Sequence, residues 1–171
     1  GVTGVQTCAL PILCASDQEN AVLLEAHMDT LGAMVCEIGA NGRLKVTPIG
    51  GLNANNAEAE NCRIYARFGE VFEGTMQLID ASVHVNGDYN EKKRTFDHME
   101  VVLDEKVHTA EDVKKLGIMI GDFVCFNPRT TVTGSGYIKS RFLDDKLSVG
   151  ILLGYAKYLK EEHVTPERMI Y

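Results

Sequence analysis

The sequence predicts an α/β layer interrupted by an inserted β domain. Three observations carry this. A continuous apolar run, Ala21-Val22-Leu23-Leu24 extending to Ala26, has the pattern of a strand buried on both faces. A succession of short strand-like segments punctuated by Gly and Asn then fills the middle of the chain. After Asp144-Asp145 the apolar period changes from strand to helix.

Taken in order, Gly32 to Ile38 is a second apolar segment, closed by the turn signal Gly39-Ala-Asn-Gly42. Leu44 to Ile49 alternates and ends at Gly50-Gly51. Further strands are expected at Cys62–Phe68, Val71–Leu78, Ser82–Val85 and Val101–Leu103, with a long polar loop over Asn86–Asp97. Their even spacing reads as an antiparallel barrel or sandwich. Thr109-Ala-Glu-Asp112 has the form of a capping box, placing Val113 and Leu116 inward and Gly117 as the stop. Strands are expected again at Asp122–Phe126, Thr130–Thr133 and Gly136–Lys139. Leu147, Ile151, Tyr155, Tyr158 and Leu159 then follow helical spacing, with Gly150 and Gly154 leaving room for a close neighbour. Arg168–Tyr171 resembles the start of another strand.

The expected partition is therefore 1–13 as a segment foreign to the fold, 14–38 as the first part of the α/β domain, 39–137 as the inserted β domain, and 138–171 as the second part. The opening dozen residues have neither a basic segment nor a sustained apolar core, so they make a poor signal peptide. They look like translated adapter sequence. With no Met at position 1, a truncated frame is expected.

Composition narrows the function. A formal charge of −7 and a pI near 5.2 argue against nucleic acid or an anionic membrane as the main partner. Five cysteines without a CxxC pair read as mostly buried thiols in a reducing, cytoplasmic setting. The run Lys92-Lys93-Arg94 reads as a solvated face. No apolar stretch approaches the roughly 20 residues that span a bilayer. GxSxG and a Cys/His pair are absent, which leaves covalent catalysis unsupported. The Gly-rich steps open no helix after a strand and are turns rather than phosphate cradles.

Two acidic motifs carry chemistry. Glu25-Ala26-His27-Met28-Asp29 follows the first apolar run, and Arg141-Phe142-Leu143-Asp144-Asp145-Lys146 precedes the helix. A neutral imidazole and a carboxylate are suitable ligands for a transition metal. Residues two apart in a strand face one side, so Asp29 can hold the His27 ring. Asp145 reads as local support, and Glu25 as pointing to the other face. His84 reads as a strand residue, and His98, His108 and His163 as loop or helix-end residues.

Four segments together carry a resemblance: AHMDTLGAMV at Ala26–Val35, PIGG at Pro48–Gly51, GDFV at Gly121–Val124 and KSRFLDDK at Lys139–Lys146. In order and separation they resemble the tetrahedral (TET) type of dinuclear metallo-aminopeptidases, often called glutamyl or deblocking aminopeptidases and sometimes cellulases or endoglucanases. The resemblance implies an incomplete phosphorylase/hydrolase-like α/β catalytic domain and an inserted barrel-like domain that mediates dimerisation toward a dodecamer. It implies peptide substrates and two divalent ions per complete subunit, zinc or cobalt. His27 would bind one ion, Asp144 would bridge both, and Asp29 would be the catalytic-site residue that orients His27. Family members often carry Arg where Lys146 stands, and Lys lacks the bidentate fork. The family's Glu-Glu pair, supplying the general base and a ligand, is expected beyond Tyr171, so the chain by itself is expected to be inactive. Two other readings were weighed: a non-catalytic assembly or binding module acting through the β domain, and a glycanase. The second lacks paired catalytic carboxylates and an aromatic platform, with no Trp in the chain.

Overall fold

The computed structural model describes residues 20–171, so the segment 1–13, Cys8 and Cys14 lie outside the described residues. Two compact units are formed. One comprises Leu31–Arg141; the other combines the described residues up to Thr30 with Phe142–Tyr171.

The Leu31–Arg141 unit is a closed antiparallel barrel. Its strands are β1 (Gly32–Ile38), β2 (Leu44–Ile49), β3 (Asn61–Tyr65), β4 (Val71–Leu78), β5 (Met99–Leu103) and β6 (Phe123–Phe126), in the spatial order β1-β2-β5-β4-β3-β6. Closure comes from β1 pairing with β6 through Ala33–Val124 and Met34–Phe123. Six short strands would leave unpaired edges in an open sheet, and closing the ring removes them. Alternation places Ala33, Val35, Leu44, Val46, Cys62, Ile64, Met76, Leu78, Met99, Val101, Val124 and Phe126 inside, all buried. Pro48 faces Ala33 of β1, whereas β2 meets β5 only at Leu44–Val101; the missing N–H of Pro48 therefore interrupts no described rung between β2 and β5. Gly74 in β4 lies opposite Leu103, and a Cβ added there would come within 2.6 Å of the Val102 carbonyl oxygen. The turn after β1 forms as expected, with Gly42 at φ 77° and its N–H donating to the Gly39 carbonyl.

Helix α1 (Ala110–Lys115) starts at the expected capping box. The Thr109 hydroxyl accepts from the Asp112 N–H while the Asp112 carboxylate accepts from the Thr109 N–H. Val113 is fully buried. A separate hairpin, β7 (Thr131–Val132) and β8 (Ile138–Lys139), follows the barrel.

Several expectations are corrected. Ser82–Val85 is a turn rather than a strand, closed by the Val85 and Asn86 N–H groups donating to the Ser82 carbonyl. Val83 and Val85 are exposed, so their alternation with His84 reflects no sheet face. Gly32–Ile38 is hydrogen-bonded into the barrel and groups with it, which places the first transition at 30/31 instead of 38/39 and the second at 141/142 instead of 137/138. The expected run of solvated cations contains Arg94, whose side chain is 19 % exposed and whose guanidinium pairs with Glu58 at 3.0 Å and stacks over Tyr89. Among the described cysteines Cys62 is buried but Cys36 is exposed.

In the other unit, Val22 and Ile170 form a parallel bridge, supported by Val22 N–H to Met169 O and Leu24 N–H to Tyr171 O, both at 2.8 Å. The pairing gives a single rung of strand rather than the buried strand expected over Ala21–Ala26; Leu23 is 61 % exposed. Helix α2 (Leu143–Glu161) has the expected length, but regular helical dihedrals resume only after Asp144 and Asp145. Within this unit Leu159 is buried while Leu147, Ile151 and Tyr158 are exposed, so the expected inward face is largely uncovered. A Cβ at Gly150 or Gly154 would meet nothing within 4 Å, so neither glycine serves a close neighbour among the described residues. No described helix is long and apolar enough to cross a membrane.

Candidate metal centre

The unit that contains α2 brings three predicted residues together. His27 and Asp29 lie in the irregular segment after the Val22 bridge, and Asp144 lies at the non-helical start of α2, preceding a cis peptide bond to Asp145. His27 Nδ1 stands 3.3 Å from Asp29 Oδ1 and 3.2 Å from the Asp29 carbonyl oxygen. On the other side of the ring, His27 Nε2 stands 3.3 Å from Asp144 Oδ1. The ring is thus held between two carboxylates, with opposite nitrogens facing opposite partners.

Local chain geometry explains the arrangement. The spacing of two residues lets Asp29 reach the Nδ1 edge of His27 with both its carboxylate and its carbonyl oxygen. At Phe142 the backbone takes a left-handed turn, φ 62° and ψ 31°, immediately before the helix. Asp144 itself has ψ 103°, outside the helical range, so its side chain does not follow the helical rows that begin behind it.

Electrostatics favour a proton or a cation at this point. Partial burial works to lower the pKa of His27, but the charge and backbone carbonyl of Asp29, together with Asp144, outweigh it and hold the imidazole above its usual value. Any cation replacing that proton would meet the same two carboxylates. An Nδ1 engaged by Asp29 leaves Nε2 as the ring's outward donor, the usual division of labour in a metal-binding histidine.

The donor chemistry fits a borderline divalent cation: one imidazole nitrogen and one carboxylate, the latter 94 % exposed. The number of donors does not complete a site. Among the described residues no group of three or more His, Cys, Asp or Glu side chains is arranged to hold a metal ion. Glu25 is exposed and Asp145 makes no described ion pair. Of the other histidines, His98 bonds within its own loop to Thr95 and Lys93, and His84 sits in the Ser82–Val85 turn.

One charged cluster escaped the sequence. In the barrel unit, Glu60 binds Arg129 at 3.0 Å through Oε1 and Arg141 at 3.4 Å through Oε2. No local pattern signals it, because the three residues come together only through the β3–β6 pairing and the strand segment beyond it.

Comparison with known proteins gives this arrangement its context. The chain is 48 % identical over 148 residues to the putative aminopeptidase YhfE of Bacillus subtilis (strain 168), covering 86 % of this chain and 43 % of that protein. Its fold matches the TET aminopeptidase of the marine sediment archaeon Thaumarchaeota archaeon SCGC AB-539-E09 with a TM-score of 0.77 at 17 % identity, covering 92 % and 44 % of the respective chains. It also matches the Pyrococcus horikoshii TET1 peptidase, which can assemble into a tetrahedron or a large octahedral shell, with a TM-score of 0.67 at 23 % identity, covering 86 % and 42 %. The chain thus spans less than half the length of each of these proteins. The family profile of the M42 glutamyl aminopeptidases matches residues 11–171, and the chain belongs to that family of peptidases.

Proposed function

We propose that this chain supplies one side of a dinuclear metal site in an aminopeptidase that removes N-terminal residues from peptides. The observation that carries the reading is the ring of His27 held between Asp29 and Asp144. His27 would hold one ion through Nε2, Asp144 would supply a carboxylate shared by the pair, and Asp29 would fix the ring and its tautomer. When bound, a zinc or cobalt pair polarises the scissile carbonyl and lowers the pKa of a water molecule. The residues of this chain contribute the charge and orientation: Asp144 offers an exposed carboxylate, and Asp29 keeps Nε2 turned outward.

The α/β character of the catalytic unit is part of the same proposal. Its support is the parallel bridge between Val22 and Ile170 with α2 leading into the second strand, the pairing sense of a β-α-β layer. Assembly into a homo-oligomer such as a dodecamer, in a reducing cytoplasm, completes the reading; the shells formed by the P. horikoshii peptidase support it. Because the described residues supply too few ligands, the 171-residue chain binds zinc weakly and turns over little or no peptide.

A chimera tests the activity. The matching segment of the B. subtilis relative is replaced by these residues, and aminoacyl-4-nitroanilides are assayed with zinc or cobalt added. Metal-dependent turnover that disappears with His27→Ala is expected. A folded chimera that is inactive beside an active parent, or robust turnover by the isolated 171-residue chain, would overturn the proposal. The assembly-module reading predicts a discrete dimer in sedimentation, unaffected by metal or by His27→Ala.

A further inference from the structure

The barrel unit carries a second polar cluster, built from its own residues. An open cleft of about 380 Å³ is lined by Pro128, Arg129, Thr131, Lys139, Ser140 and Arg141. Its walls are fixed. The Arg141 N–H donates to the Pro128 carbonyl at 2.8 Å, and the Ser140 hydroxyl bonds Thr130 at 2.7 Å and the Arg141 carbonyl at 2.8 Å. Arg141 also lies over the Phe126 ring at 5.6 Å, and its side chain is only 14 % exposed. Arg129 is held in a left-handed conformation, φ 51°, which an arginine rarely adopts.

Charge decides what the cleft can take. Three cations line it; Glu60 binds Arg129 and Arg141, and Arg141 has a further interaction besides. A structural role accounts for Glu60 and its two arginines, but not for Lys139. Lys139 stands opposite Thr131 in the hairpin, exposed and in no ion pair among the described residues. The cleft therefore keeps a positive surplus on a chain whose net charge is −7. A cationic, hydroxyl-lined pocket in a negative surface attracts small anions selectively. Its arginines already hold one planar carboxylate by one nitrogen each, and guanidinium forks suit a second.

We propose that this cleft binds a carboxylate group of a peptide, with Lys139 as the principal contact and Arg129 and Arg141 completing the charge. That a peptide carries the carboxylate rests on the aminopeptidase reading; the preference for a carboxylate does not. The group comes from an acidic side chain or from a free C-terminus, and the two are distinguishable.

The test uses the whole 171-residue chain, without metal, and N-acetylated peptides, which present no free α-amine. Backbone amide shifts of residues 129–141 are followed by nuclear magnetic resonance. One peptide has an internal Glu and an amidated C-terminus, one has no acidic residue and a free C-terminus, and one has neither carboxylate. Saturable shifts with the first identify a side-chain ligand, and with the second a terminal one. Lys139→Gln should weaken the effective peptide about threefold to fivefold, the size expected for one exposed charge pair, and Lys139→Arg should restore it. Shifts of equal size with the uncharged peptide, no shift with any peptide, tighter binding of inorganic phosphate than of either carboxylate, or unchanged binding by Lys139→Gln would each overturn the proposal. Metal and turnover play no part in the readout, so failure here leaves the chimera assay independent.

Discussion

His27 Nε2 and Asp144 Oδ1 stand 3.3 Å apart, although the whole barrel unit lies between them in the sequence. An insertion can separate two side chains in this way without displacing them, provided both ends of the insertion return to the same unit.

The first prediction concerns that pair. Zinc or cobalt binding by the chain, measured by calorimetric titration, should be weak and should vanish with His27→Ala or Asp144→Ala. Asp29→Asn should retain binding but weaken it about 10-fold to 100-fold, because it disturbs the group that orients the ring rather than a donor. Loss in Asp29→Asn as complete as in His27→Ala would make Asp29 itself a ligand.

Gly74 offers a test of the barrel. A methyl group there would press on the Val102 carbonyl, a backbone atom that can yield only by shifting the β4–β5 rung. Gly74→Ala should destabilise the barrel by about 1–3 kcal/mol in urea unfolding. Gly69→Ala is the comparison for a glycine with open space around its Cβ position, its cost being limited to the positive φ of 105°.

Cysteine reactivity should separate Cys36 from Cys62. Burial, followed by the nearby charges of Asp104 and Cys125, pushes the Cys62 thiol up to about 12, so almost no thiolate is present near pH 8. Iodoacetamide should label exposed Cys36 first, with Cys62 reacting only on unfolding. Peptide mass spectrometry over a time course reads the order, and equal labelling rates in the native state would contradict the burial of Cys62.

The capping box of α1 has a mutational and a pH signature. Thr109→Ala should cost about 1 kcal/mol. The Thr109 hydroxyl, then the His108 N–H, lower the pKa of Asp112 from its ordinary value of 3.8. A carboxylate with a depressed folded-state pKa contributes stability that is present above its unfolded pKa and is lost as pH falls through the folded one. The contribution of Asp112 should therefore be intact at neutral pH and fade below about pH 3.8, and Asp112→Asn should remove this acid dependence. A stability difference between the two proteins that is flat with pH would refute it.

Much of the barrel could be read from the chain because its determinants are local. The alternation in Leu44–Ile49 and Val71–Leu78, the Gly39–Gly42 turn and the Thr109–Asp112 box each act within a few residues. Ser82–Val85 misled for the same reason. Alternating Val and His satisfies a strand pattern, but no neighbouring strand accepts its backbone, and the segment closes on itself through the Ser82 carbonyl. Helix α2 was legible in length but not in burial, since a helical period records which positions are apolar and not which of them a neighbour covers. Arg94 shows the converse. Its charge made it look solvated, yet the Glu58 carboxylate and the Tyr89 ring take it partly out of water.

The sequence by itself determined most of the element types, the presence of an insertion and the residue types able to serve a metal, because periodicity, turn chemistry and donor identity are properties of short segments. Only the tertiary structure decided that β1 belongs to the barrel, that the ring closes through β1 and β6, and that Glu60 gathers Arg129 and Arg141. The same holds for His27 meeting Asp144 through one nitrogen while the other meets Asp29. Each of these depends on which distant backbones pair, and pairing is settled by the closure of the whole sheet rather than by any residue's neighbours in the chain.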